Sequence, residues 1–422
     1  MGKETTIAFT GDIGFDKYMH RRWNDEKLVA NDALAFLRSA DHLVINVEGP
    51  LTRRRKAPGV TGAAANLKHS IHPNAAKFFE RIGADVWNIC NNHIMDAGAV
   101  GIEDTLAVAA CSSVQTSYEG SNTEKKPCSG SHTLGEGRNP GETVRRKIHT
   151  LGAGRNLAEA SSPVVFDEAG GIGMIGVGYQ RACRKAGENT AGCFSWSDLD
   201  LIRERITQVK KRCRWCIVVA HAGEEFTALP SPYTRDRYHE YLAMGADIVV
   251  AHHPHVPMNY ETVGDKAIFY SLGNFIFDTD YQRAQFNTEF GLFVKLHFTK
   301  DKWTFEPYGI RIDRKHERIV SAELPRIFAD VQPEEYELLA PLAAKVFIEN
   351  TKRQWRFLLP EKFANATEED WVANFYEPLR SGRVPGETLD MQIIYPLAQR
   401  EAEGAWKRSS LEGVKQFMLE QL

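Results

Sequence analysis

The feature that most limits how this chain can fold is a series of short apolar runs, each stopping at a side chain able to ligate a metal. Residues 5–10 run into Gly11-Asp12, 42–47 into Glu48, 86–90 into Asn91-Asn92-His93, 215–220 into His221, and 248–251 into His252-His253-Pro254-His255. Uninterrupted runs of this length predict buried strands. Helical spacing recurs between them. One helix begins near Pro73, with Ala76, Phe79 and Ile82 on one face before Gly83, a second spans 100–110, a third 199–209 and a fourth 235–244. Strands alternating with helices predict a layered α/β domain. In an open sheet of that kind ligands bind in the crevice outside the strand carboxyl ends, where all of these polar residues fall.

Beyond 251 the pattern turns strand-rich, over 267–270, 275–277, 293–298 and 303–310. Residues past about 332 read as helical, rich in charges and aromatics such as Trp355, Trp371 and Trp406, and predict a peripheral helical layer. At 422 residues the chain exceeds one ordinary core, which fits one large domain plus an appended region. A polar segment, 112–147, lacks apolar periodicity and reads as an exposed insertion. It contains His132-Thr133-Leu134-Gly135-Glu136-Gly137-Arg138-Asn139, nearly restated at His149-Thr150-Leu151-Gly152-Ala153-Gly154-Arg155-Asn156; the second copy runs on into a helix from Leu157 and a strand at 164–166, so it is the one expected in the native turn.

The formal charge of −3 gives no whole-protein field for steering nucleic acid, so none is expected as a partner. The first residues lack the length and cleavage site of a signal peptide, and no apolar run is long enough to span a bilayer, so the expectation is a cytoplasmic protein without a membrane span. Seven scattered cysteines fit reduced thiols. Cys213 and Cys216 read as small residues where a helix hands over to a strand, the redox-pair alternative lacking a thioredoxin-like context.

Each polar strand end has a plain alternative. Asp12 after Gly11 suits a turn or helix cap, Asn91 and Asn92 suit a turn, and a single His221 suits a core. Their coincidence at separate strand ends favours a shared purpose, because a buried carboxylate, amide or imidazole is costly without a partner and one divalent cation would serve all of them. His253-Pro254-His255 is the most specific element, since Pro254 fixes the backbone between two imidazoles that can face one ion. Arg53-Arg54-Arg55-Lys56 follows Glu48 closely and suits either an anionic substrate or a solvated loop.

Gly11-Asp12, Asn46-Val47-Glu48-Gly49 with Thr52, Asn91-Asn92-His93 with Asp96, His221-Ala222-Gly223-Glu224-Glu225, His252-His253-Pro254-His255 and Ser271-Leu272-Gly273-Asn274-Phe275 occur in an order that resembles the CapA family of capsule and poly-γ-glutamate synthesis proteins. The resemblance covers about residues 5–300, and places that family within the calcineurin-like metallophosphoesterases. It implies a four-layer α/β/β/α sandwich over 1–330, interrupted by the insertion, with a C-terminal helical extension over 331–422. It further implies that Asp12, Glu48, Asn92, His221, His253 and His255 bind one or two divalent ions, Mn, Fe, Zn or Mg. His93 matches the histidine that protonates the leaving group, Asp96 would orient it, and Glu225 matches a family acid. Arg53, Arg54, Arg55 and Asn274 are the candidates for substrate contact.

Most superfamily members have a histidine two places after the first aspartate, where this chain has Gly14, and an aspartate where it has Glu48. The leading expectation is a metal-dependent hydrolase acting on a phosphoester or related anionic substrate, small, peptidic or polymeric. The alternatives are a non-catalytic component of polyglutamate or polysaccharide assembly and a metal-independent peptide epimerase. The C-terminal helices can close the cleft, mediate a homodimer or cap the sheet, and the residues alone do not choose.

Overall fold

Side-chain alternation along each strand sends one set of residues into a core shared by two sheets and the other set under helices. The computed structural model describes residues 4–53, 68–117, 143–178, 184–358, 360–371 and 418–419. Thr5–Gly14 runs through the middle of an eight-stranded sheet, parallel to His42–Val47 and antiparallel to Phe290–Phe298. Val86–Asn88 and His149–Leu151 continue that sheet in parallel on one side, and Trp303–Asp313 and Arg318–Ser321 in antiparallel on the other. The second sheet has six strands, in the spatial order Tyr260–Val263, Lys266–Phe269, Ile248–His252, Trp215–His221, Ile172–Gly178 and Val164–Phe166, with the middle four parallel.

Ile7, Phe9 and Val44 of the first sheet meet Ile217, Val219, Ile248 and Val250 of the second in a common core. Their strand neighbours point the other way, as a period of two requires. Ala8, Leu43 and Ile45 pack beneath Leu34, Leu37, Phe78, Phe79 and Ile102, which belong to helices Asn31–Arg38, Ala76–Ile82 and Ala99–Cys111. Cys216, Val218, Val249 and Ala251 pack beneath Ile202, Ile206 and Tyr241 of helices Leu199–Lys210 and Pro232–Met244. The result is a mixed α/β architecture in which parallel strands of both sheets deliver their carboxyl ends to one region.

Several boundaries differ from expectation. The first strand continues to Gly14, with its ladder irregular on both sides of Asp12, so Asp12 sits at a bulge within the strand rather than beyond it. Such a bulge re-aims a side chain, and here it aligns Asp12 with Asn274 of Asn274–Phe277. The helix expected at 235 begins at Pro232, because Ser231 accepts from the Thr234 amide and Pro232 suits the first turn. The ends of the polar insertion, Ser113–Ser117 and Thr143–Lys147, form an antiparallel ribbon rather than loop, held where Val114 is buried and Arg146 pairs with Asp85 at 2.9 Å. The centre of that insertion, the first repeat copy at 132–139, and Trp406 lie outside the described residues. The second copy forms His149–Leu151 and Ala153–Gly154, turning at Gly152 with φ 80° where an added Cβ would fall 2.3 Å from that of Cys90. Cys213 and Cys216 are free and buried at the handover from Leu199–Lys210 to Trp215–His221, and burial pushes the Cys216 thiol up to about 12. Helix Pro333–Leu358 lays Tyr336, Leu339 and Val346 on Leu229, Ile327 and Val331.

Candidate metal centre

The polar pocket lies where Thr5–Gly14, His42–Val47, Trp215–His221 and Ile248–His252 end. Asp12, Glu48 and His221 are wholly buried, His253 and His255 nearly so. His255 places Nδ1 at 3.1 Å from Asp12 Oδ2 and Nε2 at 3.3 Å from Glu48 Oε1. His221 Nε2 stands 3.8 Å from Glu48 Oε1 and 2.9 Å from Asn92 Oδ1. Three overlapping sets bring their ligand atoms within 4.8 Å of one another: Asp12, Glu48 and His255; Glu48, His221 and His253; and Glu225, His253 and His255. Glu48 is common to the first two.

Backbone conformation sets the imidazoles in place. His253 and His255 adopt φ values of 99° and 61°, in the left-handed region that costs a non-glycine residue about 1–3 kcal/mol and that concentrates at functional sites. The intervening Pro254 carbonyl accepts from the Phe226 amide at 2.8 Å, and the His255 ring is stacked near Phe226 and Phe277. Packing therefore fixes a strained step that turns both rings toward the carboxylates.

Electrostatics show the same convergence. Burial pushes Glu48 up to about 7, with the Asp12 charge adding to the effect and His255 opposing it. Burial disfavours a charged His255, yet the Glu48 and Asp12 carboxylates outweigh it and hold the ring well above the usual histidine range. His221 is driven well down by burial and by the imidazoles around it. Among the described residues, both oxygens of Glu48 and Oδ2 of Asp12 accept no hydrogen bond. Buried carboxylate oxygens in that state lose water's hydrogen bonds, with only the His255 ring nitrogens, at 3.1 and 3.3 Å, set against the loss, and hard acceptors clustered with imidazoles are the donor set that divalent ions take. The residues present thus fit a divalent cation.

His93 flanks the pocket, its Nε2 4.0 Å from Glu48 Oε1 and its Nδ1 2.8 Å from Asp96 Oδ2. Asp96 also accepts from the His69 amide at 2.7 Å and from Lys68 at 3.0 Å. Burial and the neighbouring His69 hold the His93 pKa down to about 4. Glu225 is half-buried near His253 and His255, with Oε2 3.4 Å from the Tyr281 hydroxyl. Asn274, expected at the substrate, is instead wholly buried: its amide donates to Gln282 and Thr288, and its oxygen faces His255 Nδ1 at 3.1 Å. That geometry makes it a holder of His255. Arg53 is exposed on the loop after Glu48, while Arg54 and Arg55 lie outside the described residues.

Two amides and a histidine carry roles that the strand-end reading did not assign. Asn46 donates through Nδ2 to Asp12 Oδ1 at 2.8 Å, contacts His221 Nδ1 at 3.2 Å, and accepts from Asn88 at 2.8 Å. His69 stands edge-on to His93 with ring centres 4.2 Å apart, its Nδ1 2.5 Å from Asp16 Oδ2. Asn46 was legible as part of a family motif but not as the holder of Asp12, and Asn88 only as a polar interruption of an apolar run.

An α/β chain with such a centre at its strand ends belongs to a definite family. The bacterial capsule synthesis protein PGA_cap family matches residues 6–127 and 141–279, well over half of the chain, and the protein is a member of it. The break in that match falls within the polar insertion. The chain is 26% identical over 287 residues to the PGA biosynthesis protein CapA of Bacillus subtilis (strain 168), covering 66% of this chain and 65% of that protein. It is 25% identical over 292 residues to the capsule biosynthesis protein CapA of Bacillus anthracis, covering 67% of this chain and 62% of that one. The matches thus span less than two thirds of either relative's length. A crystal structure of a hypothetical protein from Thermus thermophilus is similar at a TM-score of 0.36 and 12% identity, over 72% of this chain and 98% of that one, too slight a likeness to argue from. Among the described residues no helix is long and apolar enough to cross a membrane.

Proposed function

We propose that this family member is a metal-dependent hydrolase of a phosphoester or related anionic bond, its two sheets and flanking helices forming a metallophosphoesterase-like α/β/β/α sandwich. One observation carries the reading: Asp12 and Glu48 hold buried carboxylate oxygens that accept no hydrogen bond from the described residues, in a pocket ringed by His221, His253 and His255. Asp12, Glu48, Asn92, His221, His253 and His255 would hold one or two ions of Mn, Fe, Zn or Mg, with Glu225 near enough to join. When bound, such an ion lowers the pKa of water and polarises a phosphoryl oxygen.

The chain's own residues supply orientation and proton transfer. Asp96 accepts from Nδ1 of His93, so a neutral ring keeps its lone pair on Nε2, facing the pocket. An anionic oxygen arriving beside Nε2 favours the protonated ring, which can then donate to the leaving group. The His69 amide donates to the same Asp96 oxygen and Lys68 to the other one, so the ring's orientation is set before substrate arrives. Asn46 and Asn88 hold Asp12 and His221 in register across the two sheets.

The names of the relatives favour a second reading, since both speak of biosynthesis rather than hydrolysis: a component that grips an acidic polymer without turning it over. Elemental analysis of protein purified without added metal, followed by a screen of generic phosphoesters with wild type and His93→Ala, separates the two. The hydrolase reading expects retained metal in both proteins and turnover in wild type alone. Metal-free protein with no turnover after reconstitution would sink it.

A further inference from the structure

Glu224 and Glu225 are neighbours in sequence with different tasks. Glu224 is buried against the start of helix Pro232–Met244, accepting from the Ser231 amide at 3.0 Å, from the Ser231 hydroxyl and from the Thr234 hydroxyl at 2.7 Å. It anchors the loop that follows Trp215–His221. Glu225 instead brings a carboxylate oxygen within 4.8 Å of ring nitrogens of His253 and His255. Phe226, next in the chain, has a φ of 62°, a conformation that persists in a bulky residue only where its surroundings impose it.

Part of those surroundings lies beyond residue 279, where the family match ends. Helix Asp280–Arg283, capped by Thr279 accepting from the Gln282 amide at 3.1 Å, reaches the pocket through two consecutive side chains. Gln282 accepts from the Asn274 amide at 3.0 Å, and Asn274 faces His255. Tyr281 sets its ring edge-on to Phe226, centres 5.6 Å apart, and its hydroxyl 3.4 Å from Glu225 Oε2. That last distance is long for a hydrogen bond between oxygens, so ring packing does most to keep Tyr281 against Glu225. Helix Pro333–Leu358 then bears on both parts. Near its start the Tyr336 hydroxyl donates to the Pro230 carbonyl at 2.8 Å, while Leu339, Leu342 and Val346 cover Ala228 and Leu229. Near its end, about 30 Å further along at 1.5 Å per residue, Phe357 packs on the Tyr281 ring with centres 5.6 Å apart. Just before it, the Arg353 guanidinium lies 3.8 Å from the ring centre of Phe286.

We infer that Tyr281 is a positioning residue for Glu225, held in place by Phe357, and that the C-terminal helix thereby sets how tightly the corner formed by Glu225, His253 and His255 takes a divalent ion. The inference rests on the reading of the pocket as a metal centre, and does not need that centre to hydrolyse anything. With Phe357 in place, Tyr281 and the Glu225 side chain beside it have lost their rotamer freedom before an ion arrives. Without Phe357 both must be ordered by the ion itself, and that ordering weakens its binding.

The test titrates full-length, metal-free protein with Mn²⁺ by calorimetry, comparing wild type, Phe357→Ala, Phe357→Leu and Tyr281→Phe, each with and without Glu225→Gln. The Glu225→Gln background keeps Asp12, Glu48, His221, His253 and His255 as ligands. Phe357→Ala is expected to weaken Mn²⁺ binding by about threefold to tenfold, below the 10–100-fold typical of a group bonded directly to a ligand, and by less than about twofold once Glu225 is already Gln. Phe357→Leu refills most of the space and should stay within about twofold of wild type. Should Phe357→Ala fail to fold, Tyr281→Phe carries the same comparison, since it keeps the ring; its expected loss is about threefold, the amount a weak hydrogen bond provides, and disappears beside Glu225→Gln. Thermal unfolding separates a loss of stability, which Phe357→Ala causes in either background, from the loss of affinity, which requires Glu225. Equal losses with and without Glu225, or wild-type affinity in Phe357→Ala and Tyr281→Phe, overturn the positioning role and leave the metal centre standing. Mn²⁺ binding by none of the proteins overturns the metal reading and the inference with it. The expected coupling without turnover in the phosphoester screen keeps the inference and rejects the hydrolase reading alone.

Discussion

Nδ1 of His255 lies 3.1 Å from Oδ2 of Asp12, although Asp12 is on a strand of one sheet and His255 in the loop after Ile248–His252 of the other. The contact closes the pocket between sheets, and with Glu48 it favours a proton on His255 that a metal ligand cannot keep. A divalent ion entering this centre would therefore release protons, with an affinity that falls as pH falls. Calorimetric titration of Mn²⁺ in two buffers of different ionisation enthalpy is expected to show that release near pH 7, with apparent affinity weakening toward pH 5. Affinity independent of pH over that range would contradict the coupling of His255, Asp12 and Glu48.

Asn46 is expected to matter as much as a ligand. Removing its amide with Asn46→Ala withdraws the donor to Asp12 and His221 and leaves Asn88 without its acceptor. Partners of this kind typically govern metal affinity by about 10–100-fold, and unmet buried polar groups cost about 1–3 kcal/mol each. Metal titration and urea unfolding of the variant check both numbers, and unchanged metal affinity would assign Asn46 a purely structural part.

Single residues show which parts of the centre are readable in the sequence and which are not. Glu48 and His221 were legible because an apolar run long enough for a buried strand stops at each, so burial and chemistry are adjacent in sequence. Asp12 was placed in the right region but not on a bulge, because the bulge depends on pairing with Asn274, far along the chain. Asn46 lies inside its strand, and its value comes only from the side-by-side placement with Asp12 and the approach of the second sheet. His69 follows a stretch of small residues, mostly Ala and Gly, without periodicity, and nothing local marks its ring as the neighbour of His93. The ribbon at 113–117 and 143–147 was hidden for a similar reason, since Arg146 reaches Asp85, just before the strand Val86–Asn88 and far away in sequence.

A pH effect on stability is expected away from the metal centre. Burial raises the Glu261 carboxyl, but His239, Arg235 and Tyr270 around it prevail and bring its pKa down to about 2 from a reference of 4.5. A carboxyl depressed in the folded state contributes stability that is complete above the unfolded value and is lost as pH falls toward the folded one. At the usual 1.4 kcal/mol per pH unit that shift is worth about 3.5 kcal/mol at most, which solvent screening reduces to about 2–3 kcal/mol near neutrality, and it is lost between about pH 4.5 and 2. Urea unfolding of wild type and Glu261→Gln at pH 7 and pH 3 checks the sign: the gap between them should narrow at the lower pH. A constant gap would show that Glu261 acts through packing alone.

Gly14, the point of departure from the wider superfamily, has a structural reason that yields the sharpest prediction. A Cβ added there would fall 2.3 Å from the ring of Phe277, which is buried and is itself stacked on His255 with ring centres 4.8 Å apart. The aromatic ring thus occupies the space that a ligand at position 14 would need, and the exchange of ligand for ring helps to hold His255. Gly14→His alone is expected to destabilise the fold by about 1–3 kcal/mol, as overpacking of a close-packed site does, without raising metal stoichiometry. Combining it with Phe277→Ala removes the obstruction, and the pair should be less unstable than the sum of the single changes, since residues in contact do not act additively. Thermal unfolding of the four proteins and their metal content after reconstitution measure this coupling. Strict additivity, with no gain in metal for the double variant, would mean that Phe277 does not stand in for the missing histidine.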